Sequence, residues 1–316
     1  MTISIKQISI LMLLLVATQI CFAERKNILV VKSSDKLIYS QLVDSFKNST
    51  FRESNFQANI VEIESTDPEL KDKLNASKKT DLVITIGANA TKFVIAVAPN
   101  TPVYSTLVPK QTYENILKSN SVHNNSRFSA IFLDQPPGRY MDLLKHLLPR
   151  HKSVGILAGP VVQTYLSTLN NEATARNLAL NTQKINNTEN VSDKAKSVIK
   201  NIDALLALPD PLIYNKQNAK WLLYMSYRQK IPVIAYSNSF VKAGALSAIF
   251  STPEQIGYQL GEIILNHFDG TPLNKSVFPK YYTTTINSSV ARSLEIEIPN
   301  LNDFQNLIPR EASDAE

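Results

Sequence analysis

The sequence predicts an α/β protein of two lobes, each a parallel sheet covered by helices. Three observations carry this expectation. Short β-branched runs alternate with longer stretches of helical period, and the alternation runs through twice. Three landmarks also recur in the same order at nearly constant spacing. Lys26 before NILVV and Lys152 before SVGIL are 126 residues apart, Asp81 before LVITI and Asp203 before ALLAL 122, and Pro102 of TPVYS and Pro232 of IPVIA 130. Ordered recurrence of this kind points to a duplicated half. The chain has 316 residues, 44% of them hydrophobic and 19% charged, which is enough to bury two cores.

In the first half, Asn27–Val31 reads as a buried strand, with Ser34 and Asp35 as caps for a helix over Leu37–Phe46. That helix has an apolar stripe of Leu37, Ile38, Leu42, Val43 and Phe46. Ala58–Ile63 is the second strand and Asp67–Leu74 a short helix. Leu82–Ile86 ends at Gly87 and is followed by a helix over Ala90–Val97. Val103–Leu107 closes the set, with Pro102 tolerated at its start. The second half reads as a strand at Ser153–Leu157, a helix from Val161 to Asn177, and a weaker strand near Ala179–Lys184. A helix over Ser192–Lys200, a strand at Ala204–Leu208, a helix over Asn215–Arg228 and a strand at Pro232–Ala235 complete it. Runs of apolar strands joined by helices imply parallel sheets covered on both faces, with ligands held at the carboxyl ends of the strands.

Met1–Ala23 reads as a cleaved signal peptide. One cation, Lys6, precedes the apolar run Ile10–Ala17, and Cys21 and Ala23 stand at the −3 and −1 positions of a cleavage site. A lipobox needs a small residue before the cysteine, and Ile20 stands there, so lipidation is not expected. Cys21 leaves with the segment, and an exported chain without cysteine must hold itself by core packing. The periplasm is the expected compartment.

The net charge is +6, but its cations are scattered, with no arginine-rich run or zinc-knuckle spacing, so nucleic acid is not an expected partner. Glycine-rich phosphate motifs, a G-x-S-x-G elbow and H-E-x-x-H are missing from the sequence. The four histidines, His123, His146, His151 and His267, are not paired at helical spacing. No cofactor, metal or catalytic residue is assigned, and binding without chemistry is the expectation.

The strand-end loops supply the candidate ligand-binding residues. In the first half these are Ser33, Ser34, Asn89, Thr91, Ser105 and Thr106; in the second, Asp210, Tyr214, Asn215, Tyr236 and Ser237. Asp134 and Gln135 lie where the chain passes between the halves. Each also has a plain structural reading, since Ser, Thr, Asn and Asp cap helices and build turns. Backbone N–H groups at helix starts attract anions, and Tyr214 and Tyr236 offer flat walls for an apolar or aromatic group.

The stretch Asp203–Ile264, above all IPVIAYSNSFVKAGAL (Ile231–Leu246), resembles ABC-transporter substrate-binding proteins of the tryptophan/tyrosine type. TTTINSSVARSLEIEIP (Thr283–Pro299), Ser126–Gly159 and DLVITIGANAT (Asp81–Thr91) sit in matching order, so the resemblance covers most of the chain. It implies a type I periplasmic binding protein: two Rossmann-like lobes joined by a three-crossover hinge. Lobe 1 would comprise 26–132 and 250–276, and lobe 2 would comprise 135–246 and 280–316. The hinge passages would lie near 133–135, 246–251 and 277–282. The implied activity is capture of a small solute, an amino acid or other small organic molecule, by a monomer that delivers it to an inner-membrane ABC permease. The alternative is a ligand-sensing subunit that signals to a membrane receptor or kinase. Family members often place Asp-Pro after the fourth strand, where this chain has Thr106-Leu107-Val108-Pro109. Asp134 and Asp210 are then the carboxylates left for an ammonium group; if neither faces the ligand, a neutral or anionic solute fits better.

Overall fold

The computed structural model describes residues 25–52, 56–75, 80–97, 100–122, 127–188, 191–273, 276–298 and 300. The expected signal peptide and the tail past residue 300 lie outside them. The first half runs β1 (Lys26–Lys32), α1 (Leu37–Lys47), a π-helical turn (Asn48–Arg52), β2 (Ala58–Glu64), α2 (Leu70–Asn75) and β3 (Leu82–Ile86). It continues with α3 (Ala88–Val97), β4 (Val103–Val108), α4 (Lys110–Ser119) and β5 (Phe128–Phe132). The second half begins with α5 (Pro137–Leu147), β6 (Ser153–Ala158), α6 (Pro160–Gln163), α7 (Leu166–Thr174), β7 (Ala179–Lys184) and α8 (Val191–Ile199). It continues with β8 (Ala204–Leu206), α9 (Lys216–Arg228), β9 (Val233–Ala235), α10 (Asn238–Ala243) and β10 (Ser247–Phe250). Then come α11 (Pro253–Phe268), β11 (Thr283–Ile286) and α12 (Ser288–Ser293).

Two sheets result, ordered β2-β1-β3-β4-β5 and β11-β10-β9-β8-β6-β7. The first is parallel throughout. The second is parallel except for β11, which adds antiparallel to β10 at one edge. Without β11 the two orders are the same: second, first, third, fourth, fifth. The recurring sequence landmarks do equivalent work in each. The Asp81 carboxylate accepts the Asn27 N–H at 2.7 Å, where β1 begins, and Asp203 accepts the Lys152 and Ser153 N–H groups at 2.8 Å, where β6 begins. The Pro102 carbonyl accepts the Val83 N–H, and the Pro232 carbonyl accepts the Leu205 N–H, both at 2.9 Å. The duplication is therefore physical as well as textual.

β3, in the middle of its sheet, and β5, at the edge, are buried along their whole length, and so are the short β8 and β9. Continuous burial is what parallel strands covered on both faces require. One exchange ties the halves together. α11 follows β10 of the second sheet but packs on the first, placing Ile256, Leu260 and Ile264 against Ile28, Val30, Leu42 and Phe46. It starts at a capping box, in which Thr252 accepts from the Gln255 N–H and Gln255 accepts from the Thr252 N–H. Its glycines let the backbones meet. A Cβ on Gly257 would stand 2.3 Å from the Leu42 carbonyl, and one on Gly261 would stand 2.0 Å from the Ser49 hydroxyl.

The structure corrects three local expectations. The N-cap of α1 is Lys36 rather than Ser34 or Asp35, and no side chain caps it. Leu37 and Ile38 do not join the buried stripe: they are 73% and 46% exposed, because only the Leu42, Val43 and Phe46 side of α1 meets α11 and the sheet. The helix expected over Val161–Asn177 is broken. The Thr164 and Tyr165 N–H groups reach back to Val161 and Val162, the i to i+3 pattern that tightens a last turn, and the Thr164 hydroxyl also takes the Val161 carbonyl. Among the described residues no helix is long and apolar enough to cross a membrane.

Gly257→Ala should lower the free energy of unfolding by about 1–3 kcal/mol, since the obstructing atom is backbone and cannot rotate away. Urea denaturation measures this, and an unchanged midpoint would mean that α1 and α11 are not so closely apposed.

A candidate binding cavity between the two sheets

Parallel strands deliver their loops to one end of the sheet, so both halves place polar residues at the carboxyl ends of their strands. A cavity of about 220 Å³ lies there. From the first half it is lined by Lys110, Gln111 and Glu114 of α4, which begins two residues after β4. Asp134 and Gln135, just after β5, form its floor, and Tyr140 and Pro137 of α5 adjoin them. From the second half come Val161, Thr164 and Tyr165 after β6, and Leu208 and Pro209 after β8. The break between α6 and α7 puts Tyr165 on this wall.

Of the three charged residues that line the cavity, Lys110, Glu114 and Asp134, the most buried is Asp134. Its carboxylate is half-buried and accepts the Lys110 backbone N–H at 2.5 Å. Burial pushes its pKa above the ordinary aspartate value, while the bond from Lys110 opposes that rise. The tyrosines around it respond in the same sense: burial first, then the nearby Asp134 and Asp210 carboxylates, pushes the Tyr165 hydroxyl well up. Burial, with Tyr165 and Asp134 adding to it, does the same to Tyr140. Both stay neutral hydrogen-bonding groups at physiological pH.

Gln135 reaches from the cavity into a node that ties three passages of chain together. Its Nε2 donates to the Ser251 hydroxyl at 2.8 Å, and that hydroxyl donates to the Tyr281 carbonyl at 2.6 Å. Arg139 donates to Gln135 Oε1 at 2.6 Å and to the Pro279 carbonyl at 2.7 Å, with its guanidinium 4.1 Å from the Tyr282 ring centroid. Burial lowers the Arg139 pKa, but from so high a starting value that it remains a cation. Residues near 135, 251 and 280 are the points where the chain passes between the sheets.

Of the residues singled out from the sequence, only Asp134 and Gln135 line this cavity. Asp210 is 2% exposed and accepts the Val161 and Val162 N–H groups at 3.0 and 3.2 Å and the Leu212 N–H at 3.2 Å. It holds the start of α6, and a Cβ on Gly159 would strike its carboxylate. Tyr214 is buried, edge-on to Tyr236 and Phe240 at centroid distances of 6.3 and 5.9 Å. Asn215 is exposed and caps α9 through the Gln217 and Asn218 N–H groups. Ser237 stands at the N-cap of α10, yet its hydroxyl pairs with that of Ser239.

The first-half candidates form a separate group. The Ser33 hydroxyl accepts the Ala90 N–H at 2.9 Å and so joins the β1 and β3 loops, with Ser34 half-buried beside it and Asn89 exposed on α3. Thr91, Thr85 and Ser105 form a buried hydroxyl chain with both links at 2.9 Å, and Thr106 donates to the Thr85 carbonyl at 3.2 Å. Sequence reading missed Tyr140, Tyr165, Lys110 and Thr168. For Lys110 the signal it could have used is position, since it stands two residues after β4, whereas Tyr165 lies seven residues past β6, beyond α6, and reaches the cavity only through the helix break. Among the described residues no group of three His, Cys, Asp or Glu stands close enough to hold a metal.

A family profile described as ABC transporter substrate binding protein matches residues 28–302. A curated relative, the tyrosine-binding protein of Clostridioides difficile (strain R20291), is 23% identical over 202 residues; the match covers 61% of this chain and 56% of the relative. The chain thus spans little more than half the length of that relative. The fold is similar to that of a ligand-free, open substrate-binding protein with adhesive properties from Clostridium difficile. The TM-score is 0.70 at 17% identity, covering 90% of this chain and 99% of that one. An ABC domain from Streptococcus pneumonia in complex with L-Trp is similar with a TM-score of 0.57 at 17% identity, covering 88% and 97%. These likenesses establish the fold class, two mostly parallel lobes of type I periplasmic binding protein architecture.

Asp134→Asn should change stability in a pH-dependent way. Below about pH 4 the wild-type aspartate is protonated in both folded and unfolded chains. As pH rises the unfolded chain ionises first, so the wild type loses stability until its raised native pKa is passed. The melting temperature of Asp134→Asn relative to wild type should therefore climb between about pH 4 and pH 7; a flat or falling difference would show that burial does not raise this carboxyl.

Proposed function

The chain belongs to the family of ABC transporter substrate-binding proteins, and from that premise we propose that it captures a small organic solute in the cavity between its two lobes and presents it to a membrane permease. The observation that carries this reading is the lining of the cavity by both halves: Lys110, Glu114 and Asp134 on one side, Thr164, Tyr165 and Leu208 on the other. A solute seated there contacts both lobes, so it favours whichever arrangement brings them together. The passages tied by Gln135, Ser251 and Arg139 form the hinge about which they close.

The lining favours an amine-bearing solute with an apolar or aromatic body. Asp134 offers a carboxylate already paying its desolvation cost, which an ammonium group would relieve. Tyr140, Tyr165 and Leu208 provide the apolar walls. An amino acid fits this description, in keeping with the tyrosine- and L-Trp-binding relatives. Export to the periplasm through the segment Met1–Ala23, and action as a monomer, complete the proposal.

A thermal-shift screen of amino acids, amines, sugars and nucleosides tests it. At about 100 times its dissociation constant a true ligand adds roughly 2.7 kcal/mol to stability. Tyr165→Ala should weaken that ligand by about tenfold or more, the loss of a buried aromatic wall, while the empty protein melts within a few degrees of wild type. Asp134→Asn should weaken amine ligands and spare others. Wild-type affinity in both variants, measured by calorimetry, would move the site elsewhere; turnover of any compound would replace the reading with an enzymatic one.

A further inference from the structure

We propose that the outer face of α9 docks the protein on an anionic lipid bilayer. No Asp or Glu occurs between Asp210 and Glu254, while Lys216, Lys220, Arg228, Lys230 and Lys242 fall in that interval. α9 is the long helix of this acid-free stretch, 13 residues and about 20 Å in length. It buries Leu222, Leu223 and Ser226 against the sheet. On the opposite side, Lys216, Lys220, Tyr224 and Arg228 follow one another at four-residue spacing, with Tyr227 beside them, and all are exposed.

Single exposed aromatics are ordinary surface features. Here two share one face, Tyr224 at 56% and Tyr227 at 49% exposure, with three cations on that face and no acid on the helix. The Tyr224 hydroxyl accepts from Arg228 at 3.2 Å, so ring and guanidinium present together. The neighbouring α8 adds Lys200 at its end, while its Lys196 is offset by Asp193 at 3.5 Å. Tyrosine rings seated at headgroup depth, flanked by Lys and Arg that meet lipid phosphates, are the chemistry of an interfacial helix. The complementary surface is a bilayer carrying negative headgroups, with α9 lying along it. This surface is separate from the cavity and does not depend on what the cavity holds.

Flotation with vesicles tests it, comparing phosphatidylcholine alone with phosphatidylcholine containing about 30 mol% phosphatidylglycerol. The part of binding that depends on the anionic lipid is the readout, which discounts any attachment by the apolar N-terminal segment. We expect such binding at about 50 mM salt and its loss by about 500 mM. The triple variant Lys216→Gln, Lys220→Gln, Arg228→Gln should lose it by about a hundredfold, at roughly fivefold per cation. Tyr224→Ser with Tyr227→Ser should weaken it less and leave its salt dependence in place. An unchanged melting temperature confirms that each variant folds. Equal binding by the triple variant, or no preference for the anionic vesicles, overturns the proposal. Binding to soluble heparin without binding to the vesicles also overturns it, in favour of a polyanionic glycan.

Discussion

The arrangement of this molecule depends on a single polar node. Gln135, Ser251 and the Tyr281 carbonyl form a hydrogen-bonded line across three separate passages of chain, and Arg139 braces it through Gln135 and Pro279. Buried amides and hydroxyls are costly when unpaired, so these groups hold the passages in one mutual register. Further contacts run alongside: Gln255 donates to the Thr283 hydroxyl at 2.9 Å, and Gln259 accepts the Lys280 N–H at 2.7 Å. Both glutamines belong to α11, the helix that crosses back to the first sheet. The node thus ties the three passages to one another beside the cavity that Gln135 lines.

The cavity mixes charged and aromatic lining for a reason of topology. Each sheet sends its strand ends toward the same space, but different loops arrive with different tasks already assigned. The loop after β8 spends Asp210 on the start of α6, Ser33 after β1 takes the Ala90 N–H, and the hydroxyls of Thr85, Thr91 and Ser105, in β3, α3 and β4, bond one another. Asp134 is different: its carboxylate takes the Lys110 N–H and its own N–H and otherwise faces a volume that Tyr140 and Tyr165 help to line. A half-buried carboxylate with capacity to spare is an asymmetry that a ligand can use.

Much of the fold was legible in the chain. NILVV and LVITI form the strands expected, a strand stands where one was expected near Ala179–Lys184, and the repeated Asp and Pro landmarks mark equivalent backbone contacts in both halves. Local chemistry hid the rest. Val161–Asn177 has helical period throughout, and only i to i+3 bonding at Thr164 and Tyr165 divides it. Leu37 and Ile38 continue an apolar stripe in sequence, yet α11 covers just one side of that helix.

The sequence by itself determined the class of architecture, because periodicity and landmark order are one-dimensional and survive without coordinates. It also named the polar residues at strand ends. Which of those face the cavity was decided only by tertiary structure. A serine, threonine or aspartate at a strand end can cap a helix or meet a solute with the same atoms, and the choice follows from which backbone N–H groups lie within reach. Asp210 has three such groups within 3.2 Å, all on the segments it pins, while Asp134 has the Lys110 N–H, its own N–H and a side that faces the cavity. That difference arises from how two sheets and three passages of chain are set against each other in space.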